Sequence, residues 1–217
     1  MTDSALTAAD ALAELLAGNR RFVDGQREHP NQDVHRRTQV AHGQKPFALI
    51  FGCSDSRVAA EIIFDRGLGD LFIVRTAGHI VDNGVLGSIE FGVEVLEVPL
   101  IVVLGHDGCG AITATMAAYD TGEMPAGYVR HVVELVMLSV LTGRRAGLTT
   151  VDEMVAEHTQ ETAQLLSDRS KAIADRVADG RCAIVAMEYT LAEGQVRLLT
   201  TIGDVGTAVQ SAVPGPQ

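Results

Sequence analysis

Apolar positions along the chain change period several times, and each change marks an element. From residue 7 to 18 they recur at helical spacing, with Leu12, Leu15 and Leu16 on one face. Thr7 and Asp10 make a capping box at the start, and Gly18 suits the end. The stretch from Gly25 to Gln44 is polar, carries His29, Pro30 and Asn31, and reads as an extended arm. Three short apolar runs follow: FALIFG (47–52), LFIV (71–74) and LIVVLG (100–105). They lack period-2 alternation, as strands covered on both faces do. Helical patterns occupy 84–97, 110–121 and 127–142. Over 151–178 one long pattern steps by three or four through Val151, Met154, Val155, His158, Thr162, Leu165, Leu166, Arg169, Ile173 and Val177. CAIVAMEYTL (182–191) and QVRLLTTIG (195–203) read as paired strands about a turn at Glu193-Gly194.

Strand–helix alternation predicts an α/β fold. The expected sheet has about four parallel strands plus an antiparallel edge strand, with helices on both faces and an N-terminal helical arm. Residues 1–45 are expected to form the helix and dimerisation arm, 46–205 the α/β domain, and 206–217 a disordered tail.

Composition narrows the function. Hydrophobic residues are 47% of the 217, enough for a full core. The formal charge of −11 argues against nucleic-acid partners, which require phosphate neutralisation. No apolar run approaches the ~20 residues of a membrane span, and the acidic start resembles neither a signal nor a transit peptide. Three cysteines form no disulfide framework; in an unexported, cytoplasmic protein, as expected here, such thiols stay reduced and are free to bind metal or act as nucleophiles.

Two of the apolar runs end in unusual sequences. FALIFG leads into CSDSRV (53–58) and LIVVLG into HDGCG (106–110). In open α/β sheets, sites form at the carboxyl ends of strands. His106 and Cys109 form a short chelating pair, and Cys53 supplies a third soft ligand from another strand end. Three protein ligands leave one position open, the pattern of catalytic zinc. The spacing alone leaves open a buried free thiol and a hydrogen-bonded histidine. Asp55 and Arg57 form either a local ion pair or, beside a metal, an acceptor aimed by its guanidinium. Asp55 is also close enough in sequence to Cys53 to ligate zinc itself.

CSDSRV and GHDGCG (105–110) closely resemble the two signatures of the β-class carbonic anhydrases. The similarity runs from GNRRF (18–22) through QKP (44–46) and FIVR (72–75) to the final strand pair. The resemblance implies one zinc per subunit on Cys53, His106 and Cys109, an Asp55–Arg57 catalytic dyad, and a homodimer or homotetramer. It implies reversible hydration of carbon dioxide to bicarbonate by attack of zinc-bound hydroxide. It also implies a narrow apolar pocket at a dimer interface, with Gln44, Phe72 and Gly110; Phe91 stands where many members carry tyrosine. The N-terminal helix and arm are expected to wrap a neighbour.

Two thiolates offset the metal's charge, so hydration is expected to strengthen as pH rises above neutral. In some family members the matching aspartate closes the site onto zinc, favoured by bicarbonate in a pocket built from tryptophan, arginine and tyrosine. Arg75 and Tyr189 match that pocket, but the chain has no Trp and Ile50 stands in its place, so an open site is expected.

Cys182 reads as core. His79, in AGHIVDNG, reads as a loop histidine with its hydrogen bonds satisfied, or else as a proton shuttle. His29, His35, His42, His131 and His158 show no ligand spacing, and His158 is expected to be packed or at an interface. Three rivals remain: a cysteine-nucleophile enzyme, a zinc hydrolase of the same fold acting on another small linear molecule such as carbon disulfide, and a non-catalytic zinc protein. The first lacks the C-x5-R spacing of phosphate-binding loops, because position 59 is alanine.

Overall fold

A computed structural model describes residues 6–206. The expected tail, beyond Gly206, lies outside them. β1 (Ala48–Cys53), β2 (Leu71–Thr76), β3 (Leu100–His106), β4 (Ala183–Tyr189) and β5 (Val196–Ile202) form one sheet in the order β2-β1-β3-β4-β5. The first four strands are parallel and β5 runs antiparallel to β4, as the apolar runs imply.

Side chains alternate across each strand, so one continuous apolar run feeds two cores. Ile50, Val102, Leu104, Val185 and Met187 face one side. There they meet Leu12 and Leu15 of α1 (Ala8–Val23) and Ile63 of the short α3 (Ala60–Ile63). Leu49, Phe51, Ile101, Val103 and Ile184 face the other side. That side is covered by α4 (Asn83–Glu94), α7 (Val151–Arg169) and α8 (Lys171–Ala178). A third cluster closes the carboxyl ends of β1 and β3, where α5 (Gly110–Thr121) and α6 (Val129–Arg145) pack with α7 around Cys53 and Cys109.

Three sequence expectations change. The Thr7–Asp10 capping box forms, but α1 continues past Gly18 to Val23. Gly18 lies where the helix crosses α3: a Cβ there would run into the Phe64 carbonyl oxygen. The glycine marks a close approach rather than a stop. The polar arm contains a helix, α2 (Val34–Val40), capped by Asp33. The long helical pattern is broken at Ser170, which is extended (φ −117°, ψ 110°), ends α7 and caps α8 by accepting from Ile173 N. Periodicity continues across this break, so hydrophobic spacing alone does not reveal it.

α1 belongs to the core of its own chain. Buried Asn19 donates from Nδ2 to the carbonyls of Ile63 (3.2 Å) and Gly194 (2.8 Å), and its Oδ1 accepts from Val196 N at 3.0 Å. The arm after it is tied back as well. Buried Asp65 accepts from Arg21 Nε at 2.7 Å and from the backbone N–H groups of Glu28 and His29 at 3.0 Å. No helix among the described residues is long and apolar enough to cross a membrane.

Candidate metal centre

β1 pairs with β2 on one side and β3 on the other, so chain order reverses direction there. Such a switch point opens a crevice at the carboxyl ends of the strands. Cys53 ends β1, His106 ends β3, and Cys109 stands at the start of α5. Their ligand atoms all lie within 4.8 Å of one another. All three residues are buried.

The donor set suits zinc, which takes thiolate sulfur at ~2.3 Å and imidazole nitrogen at ~2.0 Å, and these three residues would hold it. His106 Nδ1 donates to the Asp107 carbonyl at 2.9 Å, which turns Nε2 toward the cluster. That nitrogen is buried without a hydrogen-bond partner among the described residues. Hydrogen bonding from Cys109 pulls the Cys53 thiol well below its ordinary range, and the same contact with burial pushes Cys109 up. The asymmetry is that of two thiols competing for one proton. A divalent cation removes the competition by stabilising both thiolates.

Asp55 lies at the rim, its Oδ2 4.0 Å from His106 Nε2. Arg57 grips it in a fork, Nε to Oδ1 at 2.9 Å and Nη2 to Oδ2 at 2.7 Å, and the Arg57 backbone N–H adds a third bond at 3.0 Å. These bonds hold the carboxyl well below the usual carboxylate range. Arg75 reaches from β2 to the carbonyl oxygens of Cys53 (2.8 Å) and Asp55 (2.6 Å), which pins the loop between them.

A family model described as carbonic anhydrase matches residues 48–196. The solved β-carbonic anhydrase of Coccomyxa superposes with a TM-score of 0.71 at 27% identity, over 88% of each chain. This chain belongs to the β-class carbonic anhydrases. A carbonic anhydrase of Mycolicibacterium smegmatis is 58% identical over 189 residues, covering 87% of this chain and 92% of the relative. Carbonic anhydrase 2 of Mycobacterium tuberculosis is 58% identical over 195 residues, covering 90% and 94%. The donor set and the family agree on one zinc per subunit.

The structure does not bring every expected residue of this β-class chain to the cluster. Gly110 follows Cys109 and opens α5. Phe72 instead pairs with Leu49, four positions before Cys53, or ~13 Å along the strand at ~3.3 Å per residue. Its ring meets Phe91, 6.1 Å between centroids, and Phe91 is exposed. Gln44 lies exposed before β1. Within one protomer Phe72 and Phe91 stand at the β2 edge, and Gln44 precedes β1 at the end of the strand opposite Cys53.

Other contacts at the site were not foreseen. Asp152 accepts from Gly108 N at 3.0 Å, and Asp107 Oδ1 accepts from Leu191 N at 2.8 Å. Both brace the turn between His106 and Cys109. Asp107 was conspicuous inside HDGCG; nothing local marked Asp152, which stands 44 positions from the glycine it binds.

Cys182 is buried core, its thiol pushed up to about 12 by burial. His79 is fully buried, but its Nδ1 has no partner among the described residues and its Nε2 meets Thr159 Oγ1 only at 3.4 Å. Among the described residues it is held more by packing than by hydrogen bonds. Its ring lies 4.5 Å from that of His158, which is packed as expected.

Burial pushes both imidazoles below their ordinary value of 6.5, His79 well below it. Above about pH 6.5 neither the folded nor the unfolded state holds the proton, and stability is full. Below it the unfolded chain binds protons that the folded chain excludes. Each ring then removes about 1.4 kcal/mol of stability per pH unit until its folded pKa is reached. Asn tolerates the positive φ of 39° at position 79. His79→Asn should therefore lessen the stability lost between pH 7.5 and 5.5, by at most about 1.4 kcal/mol in urea unfolding. Equal losses in parent and variant would refute this.

Proposed function

We propose that this chain catalyses the reversible hydration of carbon dioxide to bicarbonate and a proton, with zinc on Cys53, His106 and Cys109. The observation that carries the reading is the convergence of these ligands beneath an Asp55 carboxylate already held by Arg57. When bound, zinc supplies a Lewis acid that makes water nucleophilic near neutral pH.

The protein groups do the rest. Because Arg57 keeps Asp55 ionised, the carboxylate can only accept a hydrogen bond. It therefore orients a reacting O–H group and directs the oxygen lone pair away from itself, toward the carbon of carbon dioxide. One C–O bond forms, and the proton lost by water passes to buffer. Arg75 keeps the Cys53–Asp55 loop from drifting during this step. The Asp55–Arg57 fork supports an open site, and the engagement of Arg75 by backbone carbonyls is in keeping with it.

The working unit in this proposal is a homodimer, alone or paired into a tetramer. β2 is an edge strand with an apolar run and needs cover. Phe72 and Phe91 stand at that edge and Gln44 precedes the neighbouring β1; in the dimer these three serve the partner's site, with Gly110 contributed beside Cys109. Residues 25–45 are anchored to their own chain through Asp65, but α2 buries no residue there and so offers its surface to the neighbour, while α1 stays in its own core. The three free thiols suit a reducing compartment, the cytoplasm.

The test is zinc content and stopped-flow hydration of the purified chain, with carbon disulfide as the competing substrate. One zinc per subunit and fast hydration are expected. Zinc with no hydration, or a preference for carbon disulfide, would sink the reading. A fully active monomer in analytical ultracentrifugation would remove the shared pocket.

A further inference from the structure

α7 carries His158 on its buried face, and both ring nitrogens are engaged. Nε2 lies 2.9 Å from the Gly78 carbonyl oxygen and Nδ1 lies 2.8 Å from Ser139 Oγ on α6. A carbonyl only accepts, so Nε2 carries the hydrogen. Burial keeps the ring neutral, which leaves Nδ1 as acceptor of the serine hydroxyl. Ser139 thereby selects the tautomer that His158 presents to Gly78.

Gly78 touches both segments that carry sulfur ligands. Its N–H donates to Cys53 Sγ at 3.3 Å. Its α-carbon presses on α5: a Cβ at position 78 would lie 2.6 Å from the Ala111 Cβ, two residues beyond Cys109. The turn is left-handed there, with φ 64°. Free backbone has no reason to hold this conformation with its N–H aimed at a sulfur. The bond from His158 fixes the carbonyl side of the same glycine and so sets the direction of the N–H side.

We propose that His158, oriented by Ser139, is a positioning residue of the metal centre: it locks the Gly78 turn so that the Gly78 N–H is directed at Cys53 Sγ. This rests on the zinc reading above. An N–H···S bond stabilises the thiolate and fixes its lone pairs, as hydrogen bonds to ligands do at metal sites generally. Neither residue touches the metal or substrate, and no ligand spacing in the sequence marks them.

The test measures zinc dissociation constants by chelator competition, and the thiolate-to-cobalt charge-transfer band of the cobalt-substituted protein. His158→Leu keeps the bulk and removes the donor. It should weaken zinc binding by about ten- to hundredfold and shift the band. His158→Gln, whose amide N–H replaces Nε2–H, should recover most of the affinity. Ser139→Ala should change both readouts in the same direction by a smaller factor, and it carries the test if His158→Leu does not fold. Leu166→Ala, a packing change elsewhere on α7, should lower the melting temperature and leave affinity and band in place. Parent-like zinc affinity and band in both His158→Leu and Ser139→Ala would overturn the proposal. So would a loss matched by Leu166→Ala and not recovered by glutamine. A parent chain that takes up no zinc would instead defeat the metal reading itself, and with it the proposal.

Discussion

Asp55→Ala is expected to retain one zinc per subunit and to lose about 10²–10⁴ in kcat/KM for carbon dioxide hydration. Zinc is retained because Asp55 is not among the three converging ligands; its nearest oxygen is 4.0 Å from His106 Nε2. Activity falls because alanine offers no acceptor to orient the reacting O–H group. The fold should be unaffected, since Asp55 sits at the rim and its fork of hydrogen bonds is to exposed Arg57. Loss of the carboxylate also frees the Arg57 cation beside the site. Zinc analysis and stopped-flow rates on the same sample separate the two effects. Parent-like activity would remove Asp55 from the mechanism, and a loss that tracks missing zinc would move it into the ligand set.

Cys109→Ser should release the metal while leaving the helix behind it intact. Four-ligand zinc sites supply about 10–16 kcal/mol, so one thiolate accounts for about 2.5–4 kcal/mol, or a hundred- to thousandfold in affinity. A serine hydroxyl stays protonated near neutral pH and is a poor substitute for a soft thiolate. Cys109 is the N-cap of α5 and makes no side-chain cap bond there; serine is favoured at that position. Dialysis against a chelator should therefore strip the variant and not the parent, with hydration falling to background and the helical content unchanged. A variant that keeps its zinc and its rate through that dialysis would show that Cys109 is not a ligand.

Both predictions use residues that could be found without coordinates. His106 and Cys109 are three positions apart, so a single turn brings them together and the pairing is a local property. Cys53 and Asp55 follow an apolar run, and strand ends are where sites form in this class of sheet. β1 and β3 were readable because both of their faces are covered, which makes each a continuous apolar run up to its ligand.

Elsewhere local pattern was insufficient. The break at Ser170 lies inside an unbroken helical period, because α7 and α8 both turn apolar faces to the same core. Gly18 had the look of a helix end until the Phe64 carbonyl was seen against it. The resemblance places Phe72 in a pocket at a dimer interface, and only the β1–β2 register sets it four positions from its own Cys53.

Sequence alone determined the α/β class, the strand ends and the ligand types, because hydrophobic period and short chelating spacing act over a few residues. Tertiary structure decided which distant groups support the ligands. His158 meets Gly78 across 80 positions, and Arg75 reaches Cys53 across 22. Those contacts exist because the strand order β2-β1-β3 sets β1 between its two neighbours and α7 folds back over the sheet. No residue's near neighbours in the chain encode that order; it follows from burying both faces of the sheet at once.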